Sequence, residues 1–372
     1  MAKVMLLVPY ASYFKNFQGD LLHRLTELGH EVIAVAPDDK CGERIYGVNY
    51  MMTPIANTGT NPFYDIHCMY KLARLLKREK PDILCCYSLK PNLYGSIAAK
   101  LTGVSETYLF ITGLGYLYSV RTIKQRLLYP IISKLYGVAV KQCTGIFFEN
   151  RDDAALFAKR YVPSKQKSRL VNGVGVNVTQ FQPPAARRQE QMKFLLVARM
   201  LKEKGVQEYA DAARLLKRKY PWAAFQLLGP FDRNPSAIRE GQIQSWTKEG
   251  VIDYLGVASD VRPYLHQATV FVLPSYYREG IPKSILEAMA CGLPIVTTNM
   301  PGCRETVREG KNGILVPPRD AEALAHAMEL FLLDSKLAGM MGSASRQLAV
   351  KEFHVDRVNA AIVNGIGLGG GG

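Results

Sequence analysis

The run Ala198-Arg199-Met200-Leu201-Lys202-Glu203-Lys204-Gly205 follows one apolar stretch, 193–197, and leads into a helix-like one. A helix start offers unbonded N–H groups and partial positive charge, so an anion fits there. Arg199 would bring a bidentate fork and Lys204 a point charge, a pairing suited to a diphosphate. An arginine and a lysine at this spacing are equally readable as solvated surface charges. A second run, 274–290, follows the apolar stretch 270–273 and places Glu279-Gly280-Ile281-Pro282 ahead of a helix that carries Glu287. Gly280 permits close backbone approach, and Pro282 suits a first helical turn. A loop carboxylate at Glu279 can accept from sugar hydroxyls, and one on the helix at Glu287 can take both hydroxyls of a ribose. Each acid also has a plainer reading: Glu287 as a helix-surface carboxylate, Glu279 as an acid favoured by the helix dipole.

Such residues need strands to hold them, and the chain supplies strand-like runs at a regular beat. In the first half they fall at 3–9, 31–36, 48–53, 82–87, 107–111 and 145–149, with helix-like stretches near 15–29, 63–79, 91–102, 122–142 and 152–161. Apolar runs of this length alternating with helices predict a parallel sheet covered on both faces. A polar tract with Pro183-Pro184 at 179–191 reads as a linker. The alternation then restarts, with strands at 193–197, 224–228, 251–255, 270–273, 294–297 and 313–316. The prediction is therefore an α/β chain of two doubly wound, Rossmann-like domains, 1–178 and 192–349, facing across a cleft. Ligands of such sheets bind beyond the carboxyl ends of the strands, where both runs lie.

The spacing of Glu279 and Glu287, with Arg199 and Lys204 upstream, resembles that of retaining glycosyltransferases of the GT-B fold, specifically glycosyltransferase family 4. The resemblance extends over 193–334 through the segments at 229–238, 254–265 and 301–320, and is looser before the linker. It implies that Arg199 and Lys204 hold the donor diphosphate and stabilise it as it leaves. Glu287 would bind the ribose, Glu279 the donor sugar, and the backbone of Gly280, Ile281 and Pro282 would approach phosphates and sugar. Gly256 and Val257 lie where the family places the nucleotide base. In the first half, Gly113 and Leu114, in Thr112-Gly113-Leu114-Gly115, are similar to the glycine loop presented to the donor. This is no dinucleotide fingerprint, which would need a glycine at Tyr118. The loops carrying Tyr13 and Asn16, and Lys90 and Asn92, are the candidates for acceptor contacts. Both depart from the family pattern, the first lacking its glycine pair and carrying Gln18 where arginine is common, the second lacking a histidine. A helix at 350–365 is expected to cross back onto the first domain.

The same resemblance implies a UDP-linked hexose or N-acetylhexosamine as donor, UDP-N-acetylgalactosamine first. As acceptor it implies a polyprenyl-diphosphate-linked saccharide of bacterial surface or glycoprotein glycan assembly. No Asp-x-Asp occurs and the six histidines are scattered, so no metal cofactor is expected on the phosphates. No second carboxylate clearly belongs beside the anomeric carbon, as a two-carboxylate retaining mechanism would need. Same-face attack assisted by the departing phosphate is the expected route.

The chain of 372 residues carries a formal charge of +15. Nucleic acid, an anionic membrane face or a phosphorylated substrate would each suit that balance. The stretch between Glu106 and Glu149 has no acid; Arg121, Lys124, Arg126, Lys134 and Lys141 alternate there with Tyr116, Tyr118, Leu127, Leu128, Tyr129, Ile131 and Ile132. It reads either as a helix on an anionic membrane or as one whose apolar face packs on the sheet. Seven cysteines without C-x-x-C spacing suggest a reducing compartment, and 3–9 reads as a first strand rather than a signal peptide. The expected location is the cytoplasm, at the inner face of the membrane. The rival readings are a GT-B epimerase or hydrolase acting on a UDP-sugar, a non-catalytic scaffold, and a basic nucleic-acid-binding protein. No nucleic-acid motif appears, so no nucleic-acid partner is expected.

Overall fold

The computed structural model describes residues 1–37, 48–55, 62–114, 123–161, 167–185, 191–232 and 234–369, with the side chains of 62 and 123–128 excepted. The chain divides into two compact units, one of Met1–Val174 with Asp356–Gly372, the other of Gly175–Val355.

The first unit is built on β1 (Lys3–Leu7), β2 (Glu31–Ala36), β3 (Asn49–Met52), β4 (Ile83–Tyr87), β5 (Glu106–Ile111), β6 (Gly145–Phe148) and β7 (Ser168–Leu170). Among the described residues these form one parallel sheet in the order β3-β2-β1-β4-β5-β6-β7. Its helices are α1 (Gly19–Glu27), α2 (Pro62–Glu79), α3 (Leu89–Thr102), α4 (Ile123–Gln142) and α5 (Arg151–Tyr161). Side chains alternate across a strand, so β1 sends Met5 and Leu7 into one core and Val4 and Leu6 into the other. With both faces covered, the strand needs no polar face, which explains its uninterrupted apolar sequence. The β7 strand escaped the sequence reading: three residues, Ser-Arg-Leu, at the sheet's edge carry no apolar period to detect.

In α4, Tyr136, Ala139 and Val140 are buried against the sheet while Lys134 and Lys141 face outward. Of the basic stretch flagged above, this described part thus packs its apolar side inward, although Ile131 stays exposed. Tyr116, Tyr118 and Arg121, with the side chains of Lys124, Arg126, Leu127 and Leu128, lie outside the described residues.

The second unit holds β8 (Lys193–Val197), β9 (Ala224–Leu228), β10 (Asp253–Tyr254), β11 (Val270–Leu273), β12 (Ile295–Thr298) and β13 (Gly313–Val316), parallel and ordered β10-β9-β8-β11-β12-β13. Its helices are α6 (Val206–Lys219), α7 (Glu240–Lys248), α8 (Arg262–Gln267), α9 (Lys283–Ala290), α10 (Ala321–Leu333) and α11 (Ser335–Glu352). In both sheets the strand order reverses once, between β1 and β4 and between β8 and β11. Loops leaving paired strands at such a reversal part to opposite faces and open a crevice.

The expected linker at 179–191 begins inside the second unit. Val176, Val178 and Phe181 are buried in its core, and Arg346 Nη1 donates to Val178 O (2.9 Å), Phe181 O (3.0 Å) and Ala290 O (2.8 Å). The first crossing between units thus falls at 174/175, and residues 186–190 lie outside the described set. The second crossing lies beside it, because Val176 N donates to Phe353 O and Val355 N to Val176 O. The last helix, α12 (Val355–Gly365), starts later than 350 and belongs to the first unit, where Val358, Ile362, Val363 and Ile366 join α1 in the core. Replacing Arg346 by Met removes one charged donor from three carbonyls. We expect a destabilisation of about 2–3 kcal/mol, read as a lower calorimetric midpoint for the second unit.

Candidate active site

Behind β8 the chain makes a single 3-10 turn, Lys202–Lys204, then passes through Gly205 at φ +74° into α6. A Cβ on Gly205 would stand 2.2 Å from Pro274 O, the first residue after β11, so glycine alone permits this approach. The two loops are laced together there: Glu203 O accepts from Tyr276 N (2.9 Å), Tyr277 N (3.1 Å) and Ser275 Oγ (3.2 Å). Lys204 Nζ consequently lies 2.5 Å from Glu279 Oε2, and Ser275 Oγ donates to Glu279 Oε1 at 2.8 Å. From below, Thr297 Oγ1 donates to Leu273 O (2.6 Å) and Thr298 Oγ1 to Ser275 O. Gly302 (φ +90°) lets the turn after β12 sit under this loop, since a Cβ would stand 2.2 Å from Gly280 O.

Arg199 holds a carboxylate of its own: Nη1 donates to Asp232 Oδ2 at 2.7 Å, with the side chain 58% exposed. Tyr277 links the two pairs electrostatically. Burial raises its hydroxyl pKa, Glu279 raises it further, and Arg199 opposes both. Glu287 sits on α9 with its side chain 15% exposed and Lys283 Nζ 3.9 Å away. Burial pushes its carboxyl up to about 7, with Lys283 pulling down and Asp260 pushing up. Asp260 is itself forked by Arg262 at 2.8–3.1 Å and follows the turn of Gly256 and Val257. Gly256 is left-handed at φ +76°, its carbonyl accepting from Gly229 N, and Val257 is exposed. Gly280, Ile281 and Pro282 are buried, and Pro282 caps α9 without a side-chain hydrogen bond.

In the first unit, the loops after β1 and β4 also stand at a strand-order reversal. Tyr13 is packed rather than presented: its ring meets Tyr10, Phe17 and Tyr87, and burial drives its hydroxyl pKa far up while Thr112 and Gln18 hydrogen-bond to it. Asn16 is exposed in a π-helical turn, Phe14–Gln18. Lys90 and Asn92 occupy the first turn of α3 and not a loop. Lys90 Nζ pairs with Asp65 at 3.0 Å. Asn92 is wholly buried, its amide donating to Phe110 O at 3.0 Å, and its Oδ1 meets no hydrogen-bond partner among the described residues. A cavity of about 30 Å³, enough for one water, adjoins Asn92, Ser88, Thr112, Gly113 and Leu114. Gly113 takes φ +115°, Leu114 is buried, and Gly115 lies outside the described residues.

Two family models match, "Glycosyl transferases group 1" over residues 178–348 and "Glycosyl transferase 4-like" over 3–150. The chain is 30% identical over 336 residues to the N,N'-diacetylbacillosaminyl-diphospho-undecaprenol alpha-1,3-N-acetylgalactosaminyltransferase of Campylobacter jejuni, covering 87% of each chain. The protein belongs to the group 1 glycosyltransferases. An Escherichia coli relative, UDP-Gal:alpha-D-GlcNAc-diphosphoundecaprenol alpha-1,3-galactosyltransferase, is 27% identical over 78% of this chain and 76% of its own. Among solved structures, sucrose-phosphate synthase from Thermosynechococcus elongatus superposes with a TM-score of 0.81 at 19% identity, covering 97% of this chain and 98% of that one. Two Rossmann-like parallel-sheet units of this kind are the GT-B fold.

Three residues that hold or perturb the candidate side chains were missed in the sequence. Asp232 lay in a segment noted only for likeness, and its pairing with Arg199 spans 33 residues. Ser275 carried a visible signal, four residues before Glu279, but a loop has no fixed period from which to infer the bond. Asp260 acts at a distance on Glu287.

Two outcomes are expected. Gly205→Ala should destabilise the second unit by more than about 2 kcal/mol, read by calorimetry, because backbone rather than a movable side chain stands in the way. For Glu287, a folded pKa above the unfolded value contributes stability that is complete below about 4.5 and lost as pH rises through about 7. Glu287→Gln should therefore gain stability relative to the parent from pH 5 to pH 8, on the order of 2–3 kcal/mol, in paired denaturation curves.

Proposed function

We propose that this glycosyltransferase moves a hexose or N-acetylhexosamine, N-acetylgalactosamine foremost, from a UDP-sugar to a hydroxyl of an undecaprenyl-diphosphate-linked saccharide. The reaction retains the anomeric configuration and proceeds without a bound metal ion, at the cytoplasmic face of the membrane. The observation that carries the reading is the contact of Lys204 and Glu279 across the strand-order reversal of the second unit, with Glu287 and Arg199 on neighbouring turns. The names of the two relatives support the donor and acceptor classes: one transfers N-acetylgalactosamine and the other takes UDP-galactose, each onto a diphospho-undecaprenol saccharide.

In this reading the nucleotide diphosphate arrives as a better partner for Lys204 than a carboxylate is. Lys204, Arg199 and the start of α9 stabilise negative charge as it grows on the departing phosphate. Glu279, relieved of part of its ion pair and still held by Ser275, accepts from a sugar hydroxyl. Glu287 accepts from the ribose hydroxyls in its ionised form. The backbone of Gly280, Ile281 and Pro282 lines the diphosphate, and Gly256 and Val257 face the base. Lys90, paired with Asp65, and Asn16 are the proposed acceptor contacts, whereas Tyr13 and Asn92 act by holding the strand ends. The acceptor hydroxyl attacks the face the phosphate leaves, its proton passing to a departing phosphate oxygen.

Lys204→Ala and Arg199→Ala should each lower turnover by roughly 100- to 1,000-fold, measured as UDP released from UDP-N-acetylgalactosamine with a lipid-linked acceptor. Full turnover in both would overturn the assignment, an inverted product by NMR would overturn retention, and loss of activity in EDTA would overturn metal independence. Nucleotide affinity of the parent should tighten as pH rises through about 7, and calorimetric titration of Glu287→Gln should show that slope gone.

A further inference from the structure

The turn leaving β13 runs Pro317-Pro318-Arg319-Asp320 and ends at a helix cap, where Asp320 Oδ1 accepts from Ala323 N at 2.8 Å and starts α10. One residue before that cap, Arg319 takes φ +62°. Among the described residues only Lys80 and Ser88 share the left-handed region without being glycine. The region strains a residue that carries a Cβ and suits glycine, so the turn by itself gives no reason for an arginine. Its side chain has a specific partner. The guanidinium stands 4.6 Å from the centre of the Tyr276 ring, within cation–π range. Tyr276 belongs to the loop after β11, and β12 separates β11 from β13 in the sheet. Arg319 thus reaches from the loop of the edge strand, across one intervening strand, to the loop that carries Glu279. The ring it meets sits in the lacing of the candidate site: Tyr276 N donates to Glu203 O, next to Lys204, and Ser275 Oγ, next to Tyr276, donates to Glu279 Oε1. The same cation acts on the first turn of α6. Glu208 Oε2 there is buried with no hydrogen-bond partner among the described residues. Burial raises that carboxyl's pKa, Asp211 raises it as well, and Arg319 is among the groups drawing it down.

We infer that Arg319 is a positioning residue for sugar transfer, holding the Tyr276 ring and with it the loop on which Glu279 meets Lys204. It acts through Tyr276 and not on the substrate. The main-chain bonds to Glu203 fix that loop on one side, and the guanidinium over the ring keeps its aromatic side chain from turning away. A cation–π contact at an exposed site adds little to stability, yet a displacement of about 1 Å at a reacting centre costs on the order of 100-fold in rate. Arg319 is exposed, so removing it opens no void in the core. Its loss should therefore fall on turnover and spare the fold. The inference rests on the proposed donor site at Lys204 and Glu279 and adds what keeps that site in register.

The test measures, on the full chain, turnover of UDP-N-acetylgalactosamine with a lipid-linked acceptor, UDP affinity by calorimetric titration, and the melting midpoint. Arg319→Gly relaxes the left-handed turn, so its midpoint should equal or exceed the parent's while kcat falls about 10-fold. Arg319→Gln should lose a similar factor in kcat. Arg319→Lys, which returns a cation to the ring, should stay within about threefold of the parent. Tyr276→Leu should fall as Arg319→Gln does, and the double variant no further, because the two residues act as one contact. UDP affinity should hold within about twofold in all of these. A midpoint of Arg319→Gly that drops in step with its turnover would make the contact a matter of stability and overturn the inference. UDP affinity falling by the same factor as turnover would make Arg319 a phosphate ligand and overturn it too, as would multiplied losses in the double variant. Lys204→Ala, run beside them, separates the two readings. If it is impaired while Arg319→Gly and Arg319→Gln turn over like the parent, this inference alone falls; if it turns over like the parent, the donor site falls and takes the inference with it.

Discussion

The van der Waals contact between the backbone at Gly205 and the carbonyl of Pro274 sets the geometry of everything around it. Two parallel strands end side by side, and their loops leave in different directions because the strand order reverses between them. Only a residue with no side chain lets the start of α6 settle against the end of β11. Once it does, the carbonyl of Glu203 becomes the common acceptor for three donors of the opposite loop, and the ammonium of Lys204 reaches a carboxylate 75 positions away. The buried hydroxyls of Thr297 and Thr298 then fix the second loop from the strand beside it, so neither loop can drift without breaking buried hydrogen bonds.

Charge in this site is arranged in balanced pairs. Lys204 with Glu279 and Arg199 with Asp232 keep cations where a diphosphate would be met, without leaving an unpaired ammonium half out of water. In the proposed reading an arriving dianion exchanges with those carboxylates and takes over the cations. Glu287 is the exception, since burial rather than pairing dominates it and a lysine 3.9 Å away does not fully offset the loss of water. A carboxyl held near neutrality in this way is ready to ionise when hydroxyl donors replace the missing solvent.

Both units leave some apolar side chains outside their cores. In the second, α6, α9, α10 and α11 feed one core while Leu215, Leu330, Leu333 and Met340 stay exposed. In the first, α2 packs Cys68, Leu72, Leu75 and Leu76 on the sheet and leaves Ile66 and Tyr70 exposed. The net charge of +15 gains a local meaning there, because four of its cations gather along a single helix face.

The sequence by itself determined the parts that depend on local pattern. The apolar runs placed most strands to within a residue or two, their alternation with helices gave two doubly wound sheets, and the resemblance to a known family marked Arg199, Lys204, Glu279 and Glu287. Strand β7, too short and polar to carry a period, stayed hidden. So did the unit boundaries, because Val178 reads as the end of the first domain and Phe181 as linker until Arg346, more than 160 residues away, collects their carbonyls. Tertiary structure alone decided which carboxylate each cation holds and that Tyr13 and Asn92 are packed rather than displayed. The reason is physical: period and propensity act over a few residues, whereas burial and ion pairing are set by chain segments that meet only after folding.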